Sequence, residues 1–121
     1  MEFLKKQAIY LQIADHVCEQ VLLNKWKAND KIPSVREMAV MLEVNPNTVL
    51  RTYLFLESQG VIYKERGLGY YIAEKAKQQT LQLKRKSFFK EELPQFFKAT
   101  QLLGIQFNEI QQLYQKQRDS L

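Results

Sequence analysis

Two helix-start signals in quick succession constrain this chain more than anything else in it. The first is Ser34-Val35-Arg36-Glu37, a capping box in which a hydroxyl and, three residues on, a carboxylate each satisfy a free backbone N–H. The second is Asn45-Pro46-Asn47-Thr48: Asn45 is a strong cap, and Pro46 suits the first helical position, where a missing N–H costs nothing. Val35, Met38, Ala39 and Leu42 supply the buried face of the first helix. Val49, Tyr53, Leu54 and Leu56 are expected to supply that of the second, and Gly60 to close it in the left-handed conformation. Two helices joined by so short a turn predict a helix-turn-helix.

The flanks complete a larger unit. Upstream, Ile9, Ile13, Val17 and Val21 recur at helical spacing and predict a helix over about 8–24. Residues 24–31 are polar apart from Trp26 and read as a linker able to carry a short strand. Downstream, 61–65 and 70–72 read as strands around the turn Arg66-Gly67-Leu68-Gly69. A helix-turn-helix followed by a hairpin is a winged helix. From about 74 the chain is helical again. Leu81, Leu83, Phe88 and Phe89 thread one helix, expected to end or kink at Leu93-Pro94; a second piece stops at Gly104, and Ile105 to Tyr114 mark a last short helix. The fold class is therefore α+β, with a winged helix-turn-helix at 1–73 and an all-α tail at 74–121.

Composition narrows the function. No apolar run reaches the roughly 20 residues that span a bilayer, and Met1-Glu2-Phe3-Leu4-Lys5-Lys6 lacks the order of a signal peptide, so the chain is expected to be cytoplasmic and away from membranes. One cysteine, Cys18, excludes an internal disulfide, and with His16 its only possible companion no zinc ligand set forms. Neither residue has the nucleophile and base around it that an enzyme needs, so no catalysis, metal or cofactor is expected. The net charge of +5 suggests a polyanionic partner. Residues 1–73 hold nine Lys/Arg against eight Asp/Glu, and residues 74–121 nine against five. DNA affinity of the N-terminal part must then come from a few placed cations.

Taken together, Ile9-Tyr10-Leu11-Gln12-Ile13, Ile32-Pro33-Ser34-Val35-Arg36-Glu37-Met38-Ala39, Val44-Asn45-Pro46-Asn47-Thr48-Val49, Tyr53-Leu54-Phe55-Leu56-Glu57, Gly60-Val61-Ile62 and Gly67-Leu68-Gly69-Tyr70 resemble the DNA-binding domain of GntR family transcriptional regulators. The Asn-Pro-Asn-Thr turn and the short helical tail resemble the YtrA-like subfamily, in which two helices dimerise the protein. Three departures stand out: no Gly around Asn24-Lys25, Ile32 in place of Leu before Pro-Ser, and Leu50 where the family often has Arg. Arg51 is expected to replace that Arg in part.

The N-terminal turn of the second helix of such a pair meets base edges in the major groove, which singles out Asn45, Asn47 and Thr48; Asn45 can equally be only a cap. The resemblance makes Arg36 a DNA-contacting arginine, able to grip a guanine edge or a phosphate. Ser34 caps and can touch a phosphate, as can Arg51. Arg66, Gly67 and Gly69 form the wing tip, where glycines permit close approach and Arg66 can reach a minor groove or a phosphate. Lys75, Lys77, Lys84, Arg85, Lys86 and Lys90 stand against Glu74 alone and are either a solvated face or additional phosphate contacts. A tail this short cannot bury Phe88, Phe89, Phe96, Phe97 and Phe107 by itself, so these rings, with Leu103 and Ile110, are expected to pack against a second copy. The expected function is that of a homodimeric regulator, a repressor, on a two-fold symmetric DNA operator with no small-molecule effector. The alternative is a winged helix that binds protein.

Overall fold

The computed structural model describes residues 7–120. Met1–Lys6, read above for signal-peptide order, lie outside them. The chain divides into two compact units between Leu83 and Lys84.

In the first unit, helix α1 (Ile9–Leu22) turns Ile13, Ala14, Val17, Cys18 and Val21 inward. Helix α2 (Val35–Leu42) starts at the expected capping box: the Ser34 hydroxyl accepts from the Glu37 N–H at 3.1 Å, and the Glu37 carboxylate accepts from the Ser34 N–H at 2.9 Å. Helix α3 (Pro46–Ser58) starts at Asn45, whose side-chain oxygen accepts from the Asn47 N–H at 2.7 Å. Gly60 follows at φ 77°. Strands β1 (Ile62–Glu65) and β2 (Gly69–Ile72) form an antiparallel pair, with Ile62 opposite Ile72 and Glu65 opposite Gly69.

The linker does carry the short strand-like stretch. Asn29 and Ile32 donate their N–H groups to the Ile72 and Tyr70 carbonyls at 2.7 and 3.0 Å, and the Ile72 N–H returns to Asp30 at 2.9 Å. This third stretch covers the free side of β2 and ties the hairpin to the loop before α2.

Val17, Met38, Val49, Tyr53, Leu56, Val61 and Ile72 meet in the core, each fully buried. The expected inner face of α3 needs one correction. Leu54 is 53% exposed, whereas Thr52 is fully buried. At 100° per residue, Leu54 falls nearly opposite Leu56, so it cannot share that face. Thr52 tolerates the core because its hydroxyl has acceptors: it lies 2.8 Å from the Tyr10 carbonyl and 3.1 Å from that of Thr48, and donates to one at a time.

Helix α4 (Ala76–Ser87) begins within the first unit, where Ala76 and Thr80 are buried and Leu83 packs against the core. The compact unit thus runs ten residues past the 73/74 division drawn from the sequence, because the start of α4 supplies core contacts through Ala76, Thr80 and Leu83, which its mostly polar sequence does not announce.

In the second unit a five-residue π-helical segment (Phe88–Glu92) leads into α5 (Leu93–Leu103), Gly104 turns the chain at φ 66°, and α6 (Phe107–Ser120) follows. Pro94 does not end the helix. It sits in the first turn of α5 just after the widened turn, whose N–H of Leu93 reaches back to the Phe88 carbonyl. A proline is tolerated in a first turn, and the π turn supplies the irregularity. Ile105 precedes α6, at whose start the Glu109 carboxylate accepts from the Gln106 N–H at 3.1 Å.

Candidate nucleic-acid interface

Arg36 occupies the first turn of α2 and is exposed. The carboxylate beside it, Glu37, is held in the capping box by the Ser34 N–H. Asn47, in the first turn of α3, is also exposed, and its backbone N–H is the one that Asn45 caps. Asn45 and Ser34 therefore each have a structural task, and each remains exposed. Thr48 is half-buried, with its N–H donated to the Asn45 carbonyl at 2.9 Å.

Past its cap, α3 turns Asn47, Leu50, Arg51 and Leu54 away from the core. These positions share one face at i, i+3, i+4 and i+7, so amide, guanidinium and two apolar side chains lie along one stripe. The guanidinium carbon of Arg51 sits 3.9 Å from the centre of the Tyr10 ring.

The wing tip is exposed at Arg66 and Gly67, and both its glycines need their freedom: φ is 76° at Gly67 and 120° at Gly69. A side chain at Gly69 would also crowd the Lys31 stem, 3.2 Å from where a Cβ would stand. Lys31 thus belongs to the surroundings of the wing. Its position in a polar linker gave no hint of this, since only the pairing of that linker with β2 brings it there.

Tyr10 is likewise a residue that sequence reasoning missed. In the sequence it stands only within the helix expected over about 8–24 and the block Ile9–Ile13, and no local signal announces that it faces Arg51.

The remaining candidates separate by what they touch. The ring of His16 meets Trp26 edge-on at 6.5 Å, and Cys18 is buried, so both serve packing. In the basic run, Lys77 donates to the Asn24 side-chain oxygen at 3.0 Å, and the Arg85 guanidinium lies 5.5 Å from the Phe89 ring. In the second unit, Phe88, Phe89, Phe96, Phe97, Leu103 and Phe107 are all exposed and Ile110 is half-exposed. Two neighbouring ring pairs do meet, Phe88 with Phe89 at 5.5 Å and Phe96 with Phe97 at 6.2 Å, but no residue of the π segment, α5 or α6 is buried.

Among known proteins, residues 9–72 match the GntR family of bacterial regulatory proteins. The chain belongs to the GntR family.

It is 47% identical over 75 residues to the helix-turn-helix regulator YhcF of Bacillus subtilis, a stretch covering 62% of each protein. It is 39% identical over 102 residues to the transcriptional repressor YtrA of the same organism, covering 84% of this chain and 78% of YtrA. The matched stretch thus spans less than two thirds of YhcF.

The crystal structure of a GntR-family regulator from Bacteroides thetaiotaomicron superposes with a TM-score of 0.78 at 44% identity, covering 93% of this chain and 98% of that one. The DNA-binding domain of AraR, crystallised with its operator ORR3, superposes with a TM-score of 0.55 at 25% identity, over 57% of this chain and 83% of that one. The GntR chain is a transcriptional regulator with an N-terminal winged helix-turn-helix and a C-terminal helical region. Among the described residues, no helix is long and apolar enough to cross a membrane.

Proposed function

We propose that this GntR-family chain is a homodimeric repressor that reads a two-fold symmetric operator in double-stranded DNA and works in the cytoplasm without a small-molecule effector. The observation that carries the reading is the exposure of Arg36 and Asn47 at the starts of successive helices, where neither side chain has a part in the core. In a helix-turn-helix the start of the second helix enters the major groove while the first crosses the backbone, and the resemblance to GntR DNA-binding domains brings Arg36 to the DNA.

Arg36 then pairs with a guanine edge, and Asn47 and Thr48 with neighbouring bases. Ser34 and Asn45 keep their capping tasks and add phosphate contacts at helix N-termini, where free N–H groups favour anions. Arg51 holds a phosphate. Arg66 at the wing tip does the same or enters the minor groove, with Gly67 and Gly69 letting the backbone come close. Dimerisation falls to Phe88, Phe89, Phe96, Phe97, Leu103, Phe107 and Ile110 in the tail, within residues 74–121. That YtrA is a repressor and that AraR has been crystallised with an operator both support the reading.

The test is selection of bound duplexes from a random pool, followed by electrophoretic titration of the recovered site against competitor DNA. The expected result is a palindromic site bound far more tightly than competitor. No preference for any duplex would replace this reading with that of a protein-binding winged helix.

A further inference from the structure

We infer that Tyr10 is a positioning residue for DNA binding: its ring is a platform that holds the Arg51 guanidinium ready for a phosphate of the backbone. The inference rests on the reading of α3 as the helix that enters the groove. An arginine that seizes a phosphate ordinarily gives up much side-chain freedom when it does so, and that loss weakens binding. Arg51 has given up part of it beforehand, because its guanidinium lies over an aromatic face, 3.9 Å from the ring centre and well inside the ~6 Å reach of a cation–π contact.

The platform is itself fixed. The Phe55 ring meets that of Tyr10 edge-on, with centres 6.2 Å apart and planes at 83°. The Tyr10 carbonyl accepts from the Thr52 hydroxyl at 2.8 Å, and Thr52 is fully buried. Arg51, Thr52 and Phe55 all belong to α3, so three of its residues bind Tyr10 to the helix whose cation it steadies. Arg51 also lies four residues after Asn47, on the same exposed face. A guanidinium stacked by its face keeps its N–H edge free, and that edge is what a phosphate oxygen accepts from. The platform therefore orients the cation without consuming it.

The experiment uses the full chain and the duplex recovered by random selection, comparing Tyr10→Leu, Tyr10→Phe, Arg51→Ala and the double variant Tyr10→Leu/Arg51→Ala, with Arg66→Ala as the wing control. Arg51→Ala should weaken binding and reduce the slope of log affinity against log salt by about one for each phosphate no longer neutralised. Tyr10→Leu should weaken binding about two- to fivefold per half-site, Tyr10→Phe should restore it because the π face is back, and Tyr10→Leu should add nothing once Arg51 is gone. An equal loss from Tyr10→Leu with or without Arg51 would mean that the ring acts through the fold and would overturn the inference.

A second measurement needs no variant. In the free wild-type protein the Arg51 side-chain protons should be shifted upfield by the Tyr10 ring current in NMR spectra, and should stay so when duplex is added. Loss of the shift on binding would show that Tyr10 holds Arg51 away from DNA, which overturns the inference as well. If Arg51→Ala changes nothing while Arg66→Ala weakens binding, the inference falls and the DNA-reading function stands. If no duplex is preferred, both fall.

Discussion

A single hydroxyl shows how tightly α3 is tied to the loop before α2. The Tyr53 side chain is fully buried, meets the Tyr70 ring edge-on at 4.9 Å, and donates its hydroxyl to the Pro33 carbonyl at 2.7 Å. Tyr53→Phe keeps the ring and leaves that carbonyl without its donor, so chemical denaturation should show a loss of about 1 kcal/mol. Burial pushes the Tyr53 hydroxyl far above its ordinary value of 10.0, with lesser contributions from Tyr70 and Glu37, and burial followed by Glu57 raises Tyr70 too. For groups raised in this sense the folded state resists losing the proton while the unfolded chain loses it freely. The stabilisation is therefore complete below about pH 10 and declines as pH climbs above it. Denaturation series at rising pH should show this decline, and Tyr53→Phe should make it shallower. At the same scale, Arg36 and Asn47 should separate base reading from adhesion. Arg36→Ala should cost roughly 1–3 kcal/mol per half-site and relax preference at one position, and Lys should not rescue it for want of a planar fork. Asn47→Ala should relax a neighbouring position. Repeating the selection with each variant checks both, and unchanged preferences would assign the two side chains to the backbone instead.

Four helices in this chain end by one device, and only two of the four endings could be read from the sequence. After α1, α2, α3 and α5 a residue adopts the left-handed conformation and the next N–H reaches back five residues: Lys25 to Gln20, Val44 to Ala39, Val61 to Leu56 and Ile105 to Thr100. Gly60 and Gly104 advertise the ending, because glycine enters that region without penalty. Asn24 at φ 63° and Glu43 at φ 55° do not. Asn24 can enter that region because its short polar side chain tolerates it, so α1 ends by this device without a Gly around Asn24-Lys25. Glu43 has no such excuse: it lies in the turn between α2 and α3, exposed and in a conformation its Cβ disfavours. Glu43→Gly should therefore raise the stability of the domain by about 0.5–1 kcal/mol in thermal or denaturant unfolding, and a drop in stability would show that the Glu43 side chain makes a compensating interaction. Starts were more legible than ends. Ser34, Glu37, Asn45 and Pro46 act through side chains within three residues of one another, and such short-range chemistry is written in the sequence. The burial of Thr52, the widened turn before Pro94 and the meeting of Tyr10 with Arg51 depend on what another turn or another helix presents, so no local pattern announces them.

The scale of the whole molecule is set by a contrast between its two units. The first has a core in which Tyr53, Met38, Leu56 and Ile62 are almost wholly removed from water. The second has no buried residue in its π segment, α5 or α6, yet Leu102 is 81% exposed, Leu103 72% and Phe107 69%. Each apolar side chain of this size left in water forgoes on the order of 1.5–3 kcal/mol, and exposure of so many of them supports the proposal that a second copy covers the tail. Dimerisation through the tail is the proposed reading of that contrast, and the site of truncation makes it testable. A chain ending after Leu83 keeps Ala76, Thr80 and Leu83 on the core, so it should unfold at nearly the temperature of the intact protein and sediment as a monomer. A chain ending after Ala73 strips that packing away and should melt lower. With its half-sites no longer linked, the Leu83 truncation should bind the selected duplex more weakly by a factor on the order of 100 or more, since the second half-site loses the effective concentration that the first one gave it. Its grip within one half-site is intact, so the recovered sequence preference should survive while the palindrome dissolves into single half-sites. Sedimentation as a dimer with undiminished affinity would relocate the dimer interface to the winged helix itself and leave the exposed phenylalanines of the tail for some other partner.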